Sequence, residues 1–304
     1  MPRTATRFAA DRGLVHRMLA TMFLLGLLYV VFIGVLVVIL GRAWPLAVVL
    51  IGGVFVAQFW FSDKLAAFAM GARDVTPEEQ PELHGAIDRL CALADMPKPR
   101  VAIADTDVPN AFATGRNRNN TVVCATTGLL RRLEPEELEG VLAHELSHVA
   151  HKDVAVMTIA SFLGVLAGLL TRLGVQFGMF GGLRRNQNAA VVVLAVTAVS
   201  VAVYALSFVL IRTLSRYREL CADRSAALLT GRPSALASAL TKISGQMARI
   251  PTRDLRRAEP FNAFFFAPAI ASTESLANLF ATHPTLERRL EQLGRISAEL
   301  GGAA

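Results

Sequence analysis

Four long apolar runs alternate with charged stretches along the 304-residue chain. Met18–Leu40, Ala43–Phe61, Val154–Thr171 and Ala189–Ile211 contain no Asp, Glu, Lys or Arg. A bilayer core takes about 20 apolar residues in helical form. The first, second and fourth runs reach that length, and the third is borderline. The first run is too long for the apolar part of a signal peptide, and no small-residue cleavage site follows it. Gly41–Arg42 instead turns directly into the second run, so the pattern predicts a transmembrane hairpin.

The flanking charges give an orientation. Arg3, Arg7, Arg12 and Arg17 precede the first run, opposed only by Asp11, while Arg42 stands alone in the turn. Positive charge on the cytoplasmic side puts the N-terminus in the cytoplasm and returns the chain there after Phe61. Arg172, Arg184 and Arg185 run against this scheme. Either their loop is an exception or the third and fourth runs do not cross fully.

The polar stretch Ser62–Asp153 reads as soluble. Thr76, Pro77 and Glu79 have the order of an N-cap, first position and capping-box partner, which predicts a helix from there to about Ala94. Val101–Ala104 and Thr121–Ala125 have the β-branched content of strands. Glu134, Pro135, Glu136 and Glu137 then open a long helix with acidic residues at its positive end. After residue 211 the chain is again charged and helical. Pro251–Phe280 is irregular and holds the apolar cluster Phe261–Pro268, and a last helix follows Pro284. Four segments result: a cytoplasmic tail with hairpin (1–61), a first catalytic part (62–153), a second hydrophobic hairpin (154–211) and a second catalytic part (212–304).

Composition agrees: 53% of residues are hydrophobic, concentrated in those runs. The formal net charge of +7 could serve nucleic acid or an anionic membrane surface. The arginines cluster beside the apolar runs, and no helix-turn-helix, zinc-finger or RNA-binding signature is present, which favours a lipid bilayer and excludes nucleic acid. Three cysteines without a CxxC pair suit a reducing compartment and small buried packing roles. Cys221 lies near a candidate ligand, which keeps a metal or redox role open for it.

The strongest chemical signal is His144-Glu145-Leu146-Ser147-His148, within a predicted helix. Histidines at i and i+4 share one face, so both imidazoles can reach one tetrahedral zinc. The glutamate between them is placed to act as general base toward the attacking water. A catalytic zinc needs a third protein ligand. His151 is one candidate, although the HExxHxxGxxH pattern that would use a later histidine is absent. Glu219 is another: Glu219 and Asp223 share a helix face at i and i+4, so one can ligate while the other accepts the free ring N–H of a ligand histidine. The residues alone leave this open against an acidic pair on a solvated face.

Five motifs in order carry a resemblance: NAFATGR (Asn110–Arg116), TTGLL (Thr126–Leu130), HELSH (His144–His148), SRYRELCAD (Ser215–Asp223) and THP (Thr282–Pro284). Together they resemble the HtpX-type membrane zinc metalloproteases, relatives of the CAAX prenyl endoproteases. The resemblance implies a mainly α fold with a small β-sheet, in which multi-pass membrane helices join a zincin (gluzincin-like) catalytic domain. It implies one Zn2+ held by His144, His148 and Glu219, with Glu145 as base and Asp223 orienting a ligand. His283 would stabilise the oxyanion. Asn110 and Arg289 would contact substrate, and an extended peptide would add to an edge at Thr121–Ala125. Leu220 departs from the aromatic residue the family often has there, a change of packing rather than ligation.

The resulting expectation is a multi-pass protease of the inner (plasma) membrane. Its catalytic domain faces the cytoplasm, and it cleaves polypeptides, membrane proteins among them, in stress-related quality control. Processing of prenylated proteins and a non-catalytic zinc scaffold are the alternatives. A scaffold would close its site with four protein ligands, whereas three ligands and a glutamate leave one position open. A transporter ranks below both, because the apolar runs lack the buried charges that transporters use.

Overall fold

The computed structural model describes residues 12–40, 71–115, 119–151, 187–247 and 283–301, with scattered helical positions between 49 and 60 and between 157 and 172. The second and third apolar runs lie largely outside the described residues. Arg116, Thr282 and Pro251–Phe280, with its cluster Phe261–Pro268, lie wholly outside them.

In chain order the elements are α1 (Arg12–Leu40), β1 (Ala72–Asp74), α2 (Pro81–Ala94), β2 (Arg100–Ala104), β3 (Ala111–Gly115), β4 (Thr121–Thr126), α3 (Thr127–Leu130), α4 (Pro135–Ala150), α5 (Gln187–Thr230), α6 (Pro233–Met247) and α7 (Leu286–Gly301). The fold is mainly helical with one small mixed sheet. The chain divides into two compact units. One comprises Met1–Leu14, Ser62–Ala155 and Ser215–Ala304, and the other Val15–Phe61 and Val156–Leu214.

In the second unit, α1 and the first part of α5 carry the apolar runs. Phe32, Leu36, Phe162, Leu166, Ala167 and Val203 form its core, and Tyr29 stacks on Phe162. Much of the remaining apolar surface is bare: Phe23, Val30 and Val38 on α1, and Val191, Leu194 and Val209 on α5, are exposed. Water would penalise such a surface, whereas lipid would not. His16–Val38, and the apolar portion of the stretch Ala190–Thr230, are long and apolar enough to cross a membrane.

The first unit is built on the sheet, in strand order β1-β2-β4-β3. β1 runs antiparallel to β2, β2 parallel to β4, and β3 antiparallel to β4 with Ala113 opposite Val123. Alternation along the strands sorts their side chains onto two faces. Val101, Ile103, Val123 and Ala125 join the main core with Leu83, Ile87 and Leu90 of α2 and Val141, Leu142 and Leu146 of α4. Leu236, Leu240 and Ile243 of α6 and Leu293 and Ile296 of α7 complete it. Ala102, Phe112, Val122 and Cys124 lie buried on the other face. Burial pushes the Cys91 thiol up to about 11 and that of Cys124 up to about 12, which suits inert packing groups rather than a redox pair.

Helix α4 is fixed at its start. Glu134 caps it, Pro135 sits in its first turn, and Glu134 and Glu137 form a reciprocal capping box. The same Glu137 carboxylate accepts from Ser238 Oγ at 2.6 Å and from Lys242 Nζ at 2.7 Å, which ties α4 to α6. Those charge-assisted bonds hold the carboxyl below its ordinary range against the opposing effect of burial. Gly140 permits the approach of the two helices, since a Cβ there would lie 3.3 Å from Leu236 Cα.

One predicted start is corrected. The capping-box contacts at Thr76 exist, with the Thr76 amide donating to Glu79 Oε2 at 2.9 Å, but they close only a turn. The helix begins at Pro81, because a proline in the interior of a helix begun at Pro77 would remove a backbone donor and clash with the preceding turn. The sheet corrects a second expectation. β4 is paired on both sides, so Thr121–Ala125 offers no edge; the edge strand on that side is β3.

Candidate active site

All the candidate side chains lie in the first unit. Helix α4 presents His144 and His148 one turn apart, as i,i+4 spacing dictates. Their Nε2 atoms are 3.2 Å from each other, and the rings meet edge-on. Glu219 of α5 completes the triangle, with Oε2 3.5 Å from His144 Nε2 and Oε1 3.5 Å from His148 Nε2. These three residues are buried and offer ligand atoms that all lie within 4.8 Å of one another. Ligands at about 2.0–2.1 Å from a tetrahedral zinc stand about 3.3 Å apart. The two Nε2 atoms stand at about that separation, and each Glu219 oxygen lies near it from one of them, so the three residues could hold such an ion. Two imidazoles and a carboxylate are also its usual donor set, with one position left open.

Around this triangle stands a set of buried polar groups. His144 Nδ1, the nitrogen turned away from the triangle, lies 2.9 Å from Asp223 Oδ1. Burial alone would lower the His144 imidazole, but the carboxylates of Asp223 and Glu219 outweigh it and hold it at about 9. His283 brings Nδ1 to 3.1 Å from Glu219 Oε2.

Glu145 points from α4 toward the sheet. Its Oε2 accepts the backbone N–H of Ala113, in the edge strand β3, at 3.0 Å. Burial raises its carboxyl to about 7, the neighbouring Glu219 carboxylate adds to this, and His144 opposes it. A carboxylate with a proton affinity near neutrality is suited to take and return a proton at physiological pH.

Two residues expected to meet substrate, Asn110 and Arg289, are buried. Asn110 is fully buried, and its main chain pairs with Thr126: the Asn110 N–H donates to Thr126 Oγ1 and the Thr126 N–H to Asn110 O, both at 2.9 Å. Thr126 also donates from Oγ1 to Val108 O and caps α3, so it sets the entry into β3. Gly128 allows the loop before Asn110 to close over α3, since a Cβ there would sit 2.3 Å from Asp107 O. Arg289 is 2% exposed and grips Asp223 with two hydrogen bonds, Nε to Oδ2 at 2.7 Å and Nη2 to Oδ1 at 2.6 Å. Through Asp223 it stands behind His144, one of the candidate ligands.

The motifs point to neither Arg218 nor the Ala113 amide, yet both meet the site. Arg218 is buried and brings Nη2 to 3.4 Å from His148 Nδ1. Its place directly before Glu219 was a signal, but adjacency in sequence does not say which way a helical side chain turns. The Ala113 contact is a main-chain one, invisible to side-chain motifs. His151, the other candidate third ligand, caps the end of α4 and is not in the metal-binding cluster. Cys221 is buried and is not in it either.

The site lies within a stretch that is similar to known proteins. Peptidase family M48 matches residues 77–297, which include every candidate site residue. The chain is 65% identical to protease HtpX homolog 1 of Streptomyces coelicolor, over 98% of this chain and 97% of that protein. It is 51% identical to a protease HtpX homolog of Moorella thermoacetica, over 97% of this chain and 98% of that one. Among solved structures, Ste24p of S. mikatae resembles it with a TM-score of 0.56 at 17% identity, covering 93% of this chain and 67% of that one. That likeness speaks for the fold.

Proposed function

The chain belongs to peptidase family M48, and from that premise we propose that this membrane zinc endopeptidase cleaves damaged or misfolded membrane proteins from the cytoplasmic face of the inner (plasma) membrane. The observation that carries the reading is the triangle of His144, His148 and Glu219 with Glu145 beside it. Zinc held by those three residues supplies Lewis acidity toward the scissile carbonyl and the attacking water. Glu145 takes the proton of the attacking water and returns it to the leaving amine. Asp223 holds the His144 ring so that Nε2 faces the metal. His283 steadies Glu219 and offers its second nitrogen to the developing oxyanion.

Substrate binding is assigned to β3, the edge strand whose Ala113 amide already reaches Glu145. An extended polypeptide can pair there through its main chain, a mode that needs no fixed side-chain sequence. Such tolerance suits a quality-control protease. Asn110 acts at one remove, by fixing the start of that strand. Multi-pass anchoring by two hydrophobic hairpins, a gluzincin-like catalytic unit and contact with the lipid bilayer complete the proposal.

One metal cannot be held from both sides of a bilayer. Between His148 and Glu219 the chain therefore crosses an even number of times, or not at all. The test of the function is a substrate trap. Full-length Glu145→Gln protein, crosslinked in cells and analysed by mass spectrometry, should retain membrane proteins that accumulate when the active enzyme is absent. Exclusive capture of prenylated proteins would instead favour the processing role.

A further inference from the structure

We propose that Arg289 is a positioning residue of the metal site, acting on His144 through Asp223, and that α7 sets the geometry of the ligand-bearing turn of α5. The proposal rests on the metal-site reading above and deepens it. Its first support is the fork itself. Arg289 Nε donates to Asp223 Oδ2 at 2.7 Å and Nη2 to Oδ1 at 2.6 Å. Two parallel bonds from a planar guanidinium fix both the direction and the plane of a carboxylate. Oδ1, the oxygen shared with Nη2, is also the one 2.9 Å from His144 Nδ1. Asp223 is thus held between the guanidinium on one side and a ligand histidine on the other, and a turn of its carboxylate would loosen both.

The second support is independent of Arg289. Three residues along α7, Gln292 Nε2 donates to the backbone carbonyl of Leu220 at 2.6 Å. Just before α7, His283 Nδ1 stands 3.1 Å from Glu219 Oε2. Three side chains from residues 283–292 therefore meet three residues of one α5 turn: Glu219, Leu220 and Asp223. The ligand Glu219 and the partner of the ligand His144 are held from the same short stretch of chain. Placing a guanidinium and a carboxylate out of water is costly unless the two are paired. Arg289 is 2% exposed and Asp223 is fully buried, so this pair is costly to break from either side.

The test measures zinc affinity of the full chain in detergent, by competition with a chromophoric chelator. Arg289→Gln is expected to bind zinc about 10–100-fold more weakly, the usual loss when support behind a metal ligand is removed. Arg289→Lys, which keeps the charge but not the fork, should fall between it and the unaltered protein. On an Asp223→Ala background Arg289→Gln should add nothing, because its action passes through that carboxylate. KM of the zinc-saturated Arg289 variants should stay unchanged, whereas a substrate-binding arginine would raise KM and spare zinc affinity. Unaltered affinity in Arg289→Gln, or a full additional loss on the Asp223→Ala background, overturns the proposal. If thermal melts show Arg289→Gln unfolded, Arg289→Lys decides alone, and unaltered zinc affinity in that folded variant overturns it. Glu219→Ala, measured in parallel, separates the two levels. Loss of zinc there with normal affinity in the Arg289 variants would sink this inference and leave the metal site standing.

Discussion

Helix α4 carries two candidate ligands and the base within five consecutive residues, and its start is secured locally by Glu134, Pro135 and the Glu137 capping box. The α5 turn carries the third candidate ligand far downstream, and what holds that turn comes from farther still: His283, Arg289 and Gln292. Half of the site is thus set by helical periodicity and half by tertiary contacts between buried charges. Periodicity tolerates error, because i,i+4 places two histidines together wherever a helix forms. The second half has no such guarantee, since Glu219 and Asp223 would be an ordinary acidic pair if α7 did not meet them.

This contrast orders the expected effects of substitution. Glu145, the proposed base, is not one of the three candidate ligands. Glu145→Gln should cost about 10²–10⁴-fold in kcat while zinc content stays normal. Peptide turnover and metal analysis of one preparation check both halves, and zinc loss in this variant would move Glu145 into the ligand set. Asp223→Ala removes the support behind His144. It should weaken zinc binding or activity by about 10–100-fold without abolishing either, and unimpaired turnover would leave Asp223 without a role.

The smallest effect concerns α4's own anchorage. The Glu137 carboxylate is held below its ordinary range in the fold, so it binds fewer protons when folded than when unfolded. Its contribution is therefore present above its unfolded pKa and is lost as pH falls through its folded one. Glu137→Gln should cost about 1.5–3 kcal/mol at pH 7, the order expected for hydrogen bonds to a charged group, and progressively less as pH drops below about 4.5. Melting curves of both proteins across that range would show it. A pH-independent difference would mean that Glu137 acts by packing alone.

What the sequence disclosed follows the same division. The first and fourth apolar runs, strands β2 and β4, the α4 start and HExxH depend on neighbours within a few residues, and so they are legible. The start of α2 was misplaced because Thr76, Pro77 and Glu79 form a real capping turn, and only Pro81 decides that no helix continues from it. The peptide-binding edge was assigned to Thr121–Ala125 because strand order is a long-range property. β4 has the composition of a strand, but composition cannot say that β2 and β3 flank it. Nothing local to Arg289 reveals that its partner is Asp223, 66 residues earlier.

The central claim is that the two halves share one metal, and metal stoichiometry tests it most directly. Purified full-length protein, loaded with zinc and dialysed against a moderate chelator, should keep one zinc per chain, and Glu145→Gln should keep the same. Glu219→Ala should lose it, although the HExxH helix is untouched. Zinc retained at full stoichiometry and affinity in Glu219→Ala would contradict the account, because α4 would then hold the metal without α5.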